Sequence, residues 1–513
     1  MSARRGLAPL WIGVPVLISL ALYAPLIPSA GWALDDVVAL ATHAHHGDWR
    51  GEFAHATYAW AGRGEGHIWR PIPAALQQLA ALAAGRASPV FRGLNLAVHL
   101  LNVLLVAGLA RRIGAAWGGA ALLATLLAVH PGSPEVVCWS SDLYDLCLTS
   151  ALLGATWIAL SPRGPWARGL GLGAMLLVAL LCKETALAFV PLAVALPALL
   201  DPPAPAHVRG WAGRVLPGLV AGALGAGIYL GLHARVSGEG YGAALGAASH
   251  GEQLAAWLGQ VGRLVYVPAQ APSAHLFDPG DHLASAVGVL TLGSFGLGAW
   301  LLRGRPRAAR CILAAGLAWA VLLAPAGAGI PLTRVDPLRY AYPALALCLA
   351  LLAGALPAEV RRRRIWAGIG AVLALVFGMR AQGRAAAWQD DVSLFTAELV
   401  REPDNPYARG CLGHALLGRG DVDEGLDLWS WAVAHIPPGV RVFDLPTERF
   451  NLAQAAFLNA RPALALAQVE ALHAEAQAAG RSAPGLSWCL RADALDALGR
   501  HEEASEVEGL CFP

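Results

Sequence analysis

The chain has 513 residues, of which 56% are hydrophobic and 14% are charged, and its formal net charge at pH 7 is +2. Soluble globular proteins carry about 25% charged residues, so the composition excludes a purely soluble protein. It indicates a polytopic membrane protein with some soluble mass. The near-neutral charge gives no indication of a nucleic-acid partner.

Several apolar segments have the length of a membrane-spanning helix, which needs about 20 residues. The stretch 169–200 is too long for one helix, and Lys183 and Glu184 interrupt it. A charge at mid-bilayer costs roughly 3 kcal/mol or more, so we interpret this stretch as two helices. The prediction is an all-α bundle of about eleven spans, at 8–28, 91–110, 115–130, 136–160, 169–182, 185–200, 215–233, 283–302, 309–325, 339–357 and 365–380.

Arginine clusters predict the orientation. If the N-terminus is cytoplasmic, every dense cluster before residue 380 falls on the cytoplasmic side, as the positive-inside rule requires. The first apolar run is too long for a typical signal peptide, so we expect an uncleaved helix. The predicted localisation is therefore the inner (cytoplasmic) membrane. Two long outer loops, at about 29–90 and 234–282, contain expected interfacial helices at 73–84 and 252–267.

The composition becomes polar after residue 380. We predict two domains, a transmembrane domain at 1–380 and an extracytoplasmic α-solenoid at 385–513 with about three tetratricopeptide-like repeats. In the clearest repeat, Gly413 and Gly425 occupy positions where small residues let two helices approach closely. Protein partners are expected on such repeats.

The eight cysteines show neither a CxxC motif nor zinc-site spacing. Three of them, Cys411, Cys489 and Cys511, lie in the soluble part. In an extracytoplasmic domain one pair could be bridged, and Cys489 with Cys511 is the pair we consider. The stretch His43-Ala44-His45-His46 fits none of the usual metal cages, so no metal ligands are assigned.

An acidic pair, Asp35 and Asp36, follows the first apolar run at the predicted outer surface. We consider these residues catalytic, as a general base with its partner. The alternative is a solvated loop start or a helix cap, because buried adjacent acids repel each other.

Other polar residues fall on the same predicted face. Lys183 could neutralise a phosphate beside the bilayer, or could pair with Glu184 in a turn. Arginines at helix ends suit bidentate phosphate binding, and the alternative is that their charged heads snorkel to the membrane surface. Glu135 could contact the substrate, or it could cap the helix in whose first turn it lies. The candidate substrate-binding residues are Arg70, His130, Glu135, Lys183, Glu184, Arg334 and Arg339. Helix–helix contact explains His99 and Asn102 better than catalysis does.

In this order, the polar motifs resemble the transmembrane-and-tetratricopeptide-repeat O-mannosyltransferases and their bacterial relatives, in the GT-C superfamily of polyprenyl-phosphate-sugar-dependent transferases. The resemblance covers most of the chain. The motifs are Asp35-Asp36, Trp69-Arg70-Pro71, Asn95-Leu96-Ala97-Val98-His99, His130-Pro131-Gly132-Ser133-Pro134-Glu135-Val136-Val137, Trp139, Asp145, Cys182-Lys183-Glu184-Thr185-Ala186, Leu338-Arg339-Tyr340-Ala341-Tyr342-Pro343, Trp388-Gln389-Asp390 and Pro403-Asp404-Asn405.

The resemblance implies an eleven-span GT-C fold whose acidic pair transfers a sugar from a polyprenyl-phosphate-linked donor to a hydroxyl of a protein or glycan acceptor, with inversion. Some relatives in the superfamily use a divalent metal, so a metal is possible although no cofactor is certain. In one departure, the family's Gly-Arg-x-Asp is Asp142-Leu143-Tyr144-Asp145 here, without the arginine.

Two other functions are compatible with parts of the sequence. A non-enzymatic, membrane-anchored repeat scaffold predicts that Asp35→Asn leaves function intact. A transporter predicts charges near the bilayer midplane and an inverted repeat. The polar groups instead cluster at one predicted surface, which favours the transferase.

Overall fold

The computed structural model describes residues 8–34, 36, 40, 49–54, 58–59, 67–200, 208–237, 249–263, 275–276, 280–333, 335–357, 359–436 and 445–511. Within these residues the chain is almost entirely helical, which confirms the all-α prediction. The first fifteen helices are α1 Ala8–Tyr23, α2 Gly51–Ala54, α3 Pro71–Ala84, α4 Ser88–Ile113, α5 Trp117–Val129, α6 Ser133–Cys138, α7 Leu143–Ala159, α8 Pro165–Cys182, α9 Val190–Leu200, α10 Val208–Ser237, α11 His250–Arg263, α12 His282–Leu301, α13 Pro306–Thr333, α14 Tyr342–Leu352 and α15 Val360–Ala387.

The remaining helices are α16 Asp391–Arg401, α17 Pro406–Arg419, α18 Val422–His435, α19 Leu445–Leu458, α20 Pro462–Ala478, α21 Gly485–Ala497 and α22 His501–Glu508. Extended structure in the described part is limited to two pairs of two-residue strands. They are β1 Tyr58–Ala59 with β2 His67–Ile68, which is antiparallel, and β3 His275–Leu276 with β4 Val335–Asp336.

Seven described helical segments are long and apolar enough to cross a membrane: Ser88–Ile113, Pro165–Cys182, Ala212–Val236, His282–Leu301, Pro306–Gly327, Leu338–Ala355 and Arg364–Ala387. Large apolar side chains on α12 and α15, such as Leu290 and Leu375, are exposed, as lipid-facing residues would be. The protein is therefore a multi-pass membrane protein. Four shorter apolar helices, Trp11–Leu26, Trp117–Val129, Leu143–Ala159 and Glu184–Leu200, lie at the other four expected spans. The count of eleven stays a prediction.

The apolar stretch 169–200 is interrupted where its charges predict. Helix α8 ends at Cys182, and Lys183 is extended with φ −163° and ψ 134°. A 3₁₀ segment, Glu184–Phe189, then leads into α9. The break places both charged side chains at helix ends instead of within one long helix, which avoids the cost of a charge at mid-bilayer.

A polar stripe follows one face of α4. Its members recur every three or four residues, so they share a side of the helix. All five are buried: Ser88, Arg92, Asn95, His99 and Asn102. The Asn95 amide donates to the Trp139 carbonyl over 2.7 Å, and the Asn102 amide donates to the Leu146 carbonyl over 3.0 Å. The stripe therefore joins α4 to the segment that enters α7, which agrees with the helix–helix role expected for His99 and Asn102.

The chain divides into two compact units, and the main part of the second is Asp391–Pro513. Its helices pack as consecutive pairs, α17 with α18, α19 with α20, and α21 with α22. A Cβ added at Gly413 would lie 2.6 Å from the Gly425 carbonyl oxygen, and one at Gly425 would lie 2.8 Å from that of Gly413. Both positions therefore require glycine. The assignment of these pairs to tetratricopeptide repeats stays a prediction.

A disulfide joins Cys489 at α21 to Cys511, whereas the other six cysteines are free. We expect maleimide labelling of the denatured, unreduced protein to add six mass tags, and labelling after reduction to add eight. Replacing Cys511 by Ser should leave Cys489 reactive, so seven tags should appear under both conditions. Mass spectrometry of the labelled protein measures these counts, and eight tags without reductant would rule out the bridge.

Candidate active site

Two buried or partly buried ion pairs involve the residues at the break after α8. Lys183 Nζ donates to Oδ1 and Oδ2 of Asp145 over 2.7 and 2.8 Å, and these side chains are 5% and 1% exposed. Arg70 donates to Glu184 in a two-pronged pair, Nε to Oε2 over 3.0 Å and Nη2 to Oε1 over 2.6 Å. Lys183 and Glu184 therefore bind separate distant partners, so the alternative of a pair between them within the turn is not what the structure has.

A third pair joins Glu135, in α6, to Arg339 at the approach to α14. Glu135 Oε1 accepts from Arg339 Nη1 over 2.8 Å, while Oε2 accepts from the backbone N–H groups of Leu338 and Arg339 over 3.0 and 3.2 Å. The Arg339 guanidinium also covers the ring of Trp139, at 4.6 Å from the centroid. Arg339 is thus held inside the protein and does not snorkel to a membrane surface.

A cavity of about 550 Å³ lies beside these pairs. Its polar end is lined by Arg70, Asp145, Lys183, Glu184, His233 and Tyr340, whereas residues such as Leu148, Leu187, Leu230 and Leu322 line its apolar walls. The Tyr340 ring contacts the Lys183 ammonium of the cavity and also the Arg339 guanidinium of the third pair. Lys183 Nζ lies 4.7 Å and Arg339 Cζ 4.9 Å from the ring centroid. The cavity thus combines two ion-paired cations with apolar walls, as ligand pockets with a few polar groups commonly do.

Two ring side chains that the sequence analysis did not single out, Tyr229 and His233, line the same cavity. Tyr229 and His233 are one turn apart on α10, with ring centroids 5.5 Å apart. The buried Trp69 ring stacks on Tyr229 at 5.9 Å. The signal that could have identified this group is the i, i+4 spacing of Tyr229 and His233 near the outer end of a predicted span.

Of the two proposed catalytic residues, Asp36 is described and Asp35 is not. Asp36 is fully buried. Its Oδ1 accepts from the backbone N–H and the hydroxyl of Ser141, over 2.8 and 2.6 Å, and its Oδ2 accepts from the Ala33 N–H over 3.1 Å. Leu34 has φ +56°, a left-handed conformation that is costly for a non-glycine residue and is found disproportionately at functional sites.

Asp142 connects the acidic segment to the ion pairs. It follows Ser141 directly and is buried beside Asp145. The Asp142 side chain interacts electrostatically with Asp145, Arg339 and Lys183. Sequence reasoning noted this position only as a departure from the family motif.

The remaining sequence candidates lie elsewhere. His130 is buried in the turn between α5 and α6, where its Nδ1 accepts from the Gly132 N–H over 3.1 Å, and it does not line the cavity. Arg334 and the stretch His43-Ala44-His45-His46 lie outside the described residues. Within the described part of the chain, no cluster of three or more histidine, cysteine, aspartate or glutamate side chains is arranged to hold a metal ion.

No model of a known protein family and no curated protein matches the chain. Among solved structures, it is similar to ArnT from Cupriavidus metallidurans bound to undecaprenyl phosphate. The identity is 15%, the match covers 89% of this chain and 80% of that one, and the TM-score is 0.40. It is also similar to the Archaeoglobus fulgidus oligosaccharyltransferase tethered with an acceptor peptide, with 14% identity, 85% and 60% coverage of the two chains, and a TM-score of 0.40.

The Lys183–Asp145 pair generates a stability prediction. Lys183→Met leaves the Asp145 carboxylate buried without its cation, so the free energy of unfolding should fall by about 3–5 kcal/mol. The double variant Lys183→Met with Asp145→Leu removes both charges and should recover most of the loss. Unfolding in mixed micelles measures both changes.

The matched control for this experiment is Arg461→Met, which breaks the exposed pair that Arg461 forms with Asp423. It should cost less than about 1 kcal/mol. Equal losses for the Lys183 variant and the double variant would contradict the ion-pair explanation.

Proposed function

We propose that this protein is an integral-membrane glycosyltransferase of the GT-C type, which moves a sugar from a polyprenyl-phosphate-linked donor to a hydroxyl acceptor at the extracytoplasmic face. The observation that carries the proposal is the amphipathic cavity, whose polar end contains Arg70 and Lys183 and whose walls are apolar. A lipid-linked phosphate has the same division between an anionic group and a hydrocarbon chain.

The cations at the cavity are held in place before a ligand arrives. Asp145 takes two of the three N–H donors of the Lys183 ammonium, and Tyr340 covers one side of it. Glu184 holds the Arg70 guanidinium from one edge. Preorganised positive groups of this kind stabilise charge that develops on a leaving phosphate without having to reorganise during the reaction.

The proposed reaction is a single inverting displacement. The acceptor hydroxyl oxygen forms a bond to the anomeric carbon, and the bond from that carbon to the phosphate oxygen breaks, with its electron pair leaving on the lipid phosphate. A carboxylate removes the hydroxyl proton. The phosphate is a good leaving group, so catalysis reduces to the base, the positioning of the reactants and the neutralisation of charge.

Within the acidic pair, we assign the base to Asp35 and a positioning role to Asp36. The support for this division is that both Asp36 oxygens already accept hydrogen bonds from Ser141 and Ala33. A carboxylate bound in this way holds its segment of chain, and we therefore assign proton removal to its neighbour Asp35. We further propose that the second unit presents the acceptor, a protein or a glycan, or binds protein partners.

The test is transfer of labelled sugar from a polyprenyl-phosphate-sugar mixture in purified membranes. Asp35→Asn should lower transfer by about 10²–10⁴-fold at equal expression, because proton removal contributes that much to catalysis. Asp36→Asn should lower it less, since the amide oxygen can still accept from Ser141.

The control is Asp281→Asn, which alters another outer-loop aspartate, one that caps α12 by accepting from the Ala284 N–H. It should transfer at the wild-type rate. Wild-type rates in all three variants would exclude the acidic pair as the catalytic group. Transfer in the wild type no higher than in membranes that lack the protein would favour the scaffold function instead.

A further inference from the structure

The segment that carries the acidic pair is fastened to the end of the last membrane helix. The Gly31 N–H donates to the Gln389 carbonyl over 2.8 Å. Arg92 Nη2 donates to both the Gly31 carbonyl, over 2.9 Å, and the Gln389 carbonyl, over 3.3 Å. Ser88 Oγ donates to the same Gly31 carbonyl over 2.6 Å. One guanidinium thus links two chain segments that are far apart in sequence.

Arg92 is an unusual residue for this position because it lies in a membrane helix and is only 2% exposed. Two backbone carbonyls do not neutralise its charge, and among the described residues no acceptor lies within hydrogen-bonding distance of its Nε or Nη1. The guanidinium does interact electrostatically with Asp36 and Asp390, and with the nearby Cys138. A buried arginine in a membrane helix costs several kcal/mol without such partners. The attraction between Arg92 and the aspartates therefore offsets part of this cost and draws the acidic segment towards α4.

The residues on the Gln389 side of this contact are closely packed. Trp388 is fully buried and stacks on Trp139 at a centroid distance of 6.2 Å, which holds the end of α15. A Cβ at Gly31 would lie 3.0 Å from the Gln389 carbonyl oxygen and 3.1 Å from the Asp390 Cβ. A larger residue at this position would therefore require the Gln389 segment to move by a few tenths of an ångström.

We propose that Arg92 is a positioning residue for the transfer reaction, which holds the segment Gly31 to Asp36 against Gln389 and thereby sets where the acidic pair stands. This inference rests on the proposed function. Arg92 acts on the acidic segment and not on the donor, whose cavity it does not line. Its loss should therefore lower kcat while leaving the KM for the donor nearly unchanged, because misplacing a catalytic group by about 1 Å can cost 10²-fold in rate.

The experiment compares Arg92→Gln, Arg92→Lys and Gly31→Ala in the full chain. We expect Arg92→Gln to lower kcat at least 30-fold with KM within twofold, and Arg92→Lys to recover most of kcat because the positive charge is retained. Gly31→Ala should lower kcat in the same way, and it tests the contact without altering a charge if Arg92→Gln does not fold.

Each variant has a matched control on α4. Arg112 donates to the Leu160 carbonyl at the other end of the helix, so Arg112→Lys should keep the wild-type kcat. Gly93 has no neighbour within 4 Å of an added Cβ, so Gly93→Ala should also be neutral. Hydrogen exchange supplies a readout that does not depend on activity, because the amide of Gly31 should exchange at least tenfold faster in Arg92→Gln than in Arg112→Lys.

A wild-type kcat in Arg92→Gln and Gly31→Ala, or a raised KM at unchanged kcat, would overturn the proposal. Unchanged exchange at Gly31 in Arg92→Gln would overturn it as well. Failure of the proposed function has a different signature, since membranes with the wild-type protein would then transfer no more sugar than membranes that lack it.

Discussion

Charged side chains buried at one end of the helical bundle are the constraint on which the rest of the site depends. A charge in a membrane protein interior is retained only when a partner offsets it, and each partner here comes from a distant part of the chain. Lys183 and Asp145 are 38 residues apart, Arg70 and Glu184 are 114 apart, and Arg339 and Glu135 are 204 apart. The pairs therefore favour the meeting of these helix ends, because an arrangement that kept the partners apart would leave unpaired ions.

The same pairs determine the chemistry that the cavity can support. Tyr340 contacts both Lys183 and Arg339, so the cavity cation and the Glu135 pair share one aromatic ring. Asp142 interacts with both cations and with Asp145, and it directly follows the Ser141 that binds Asp36. A continuous set of polar contacts thus runs from the cavity to the acidic segment, and a ligand charge at one end acts on groups whose positions are already determined.

Much of the fold could be predicted from the sequence, because the length of an apolar segment and the positions of the charges in it are local signals. The break at Lys183, the helix at α3 and the bridgeable pair Cys489 and Cys511 all follow from such local signals. The choice of partners could not be predicted in this way. Glu184 lies next to Lys183 in sequence, yet it binds Arg70, since the extended conformation at Lys183 turns the two side chains to different neighbours. Asp36 accepts a hydrogen bond from Ser141, 105 residues away, and no local pattern in the sequence indicates that contact.

The polar stripe on α4 has a consequence for how the protein is made. His99 binds the Tyr342 hydroxyl, 243 residues later in the chain, and Arg92 binds the Gln389 carbonyl, 297 residues later. At a synthesis rate of about 5–20 residues per second, these partners emerge roughly 10–60 seconds after α4 itself. During that interval the His99 ring and one of the two carbonyl contacts of Arg92 lack their partners, so the final docking of α4 must wait for the last helices of the bundle. The early helix therefore reaches its final packing only after the late ones have emerged.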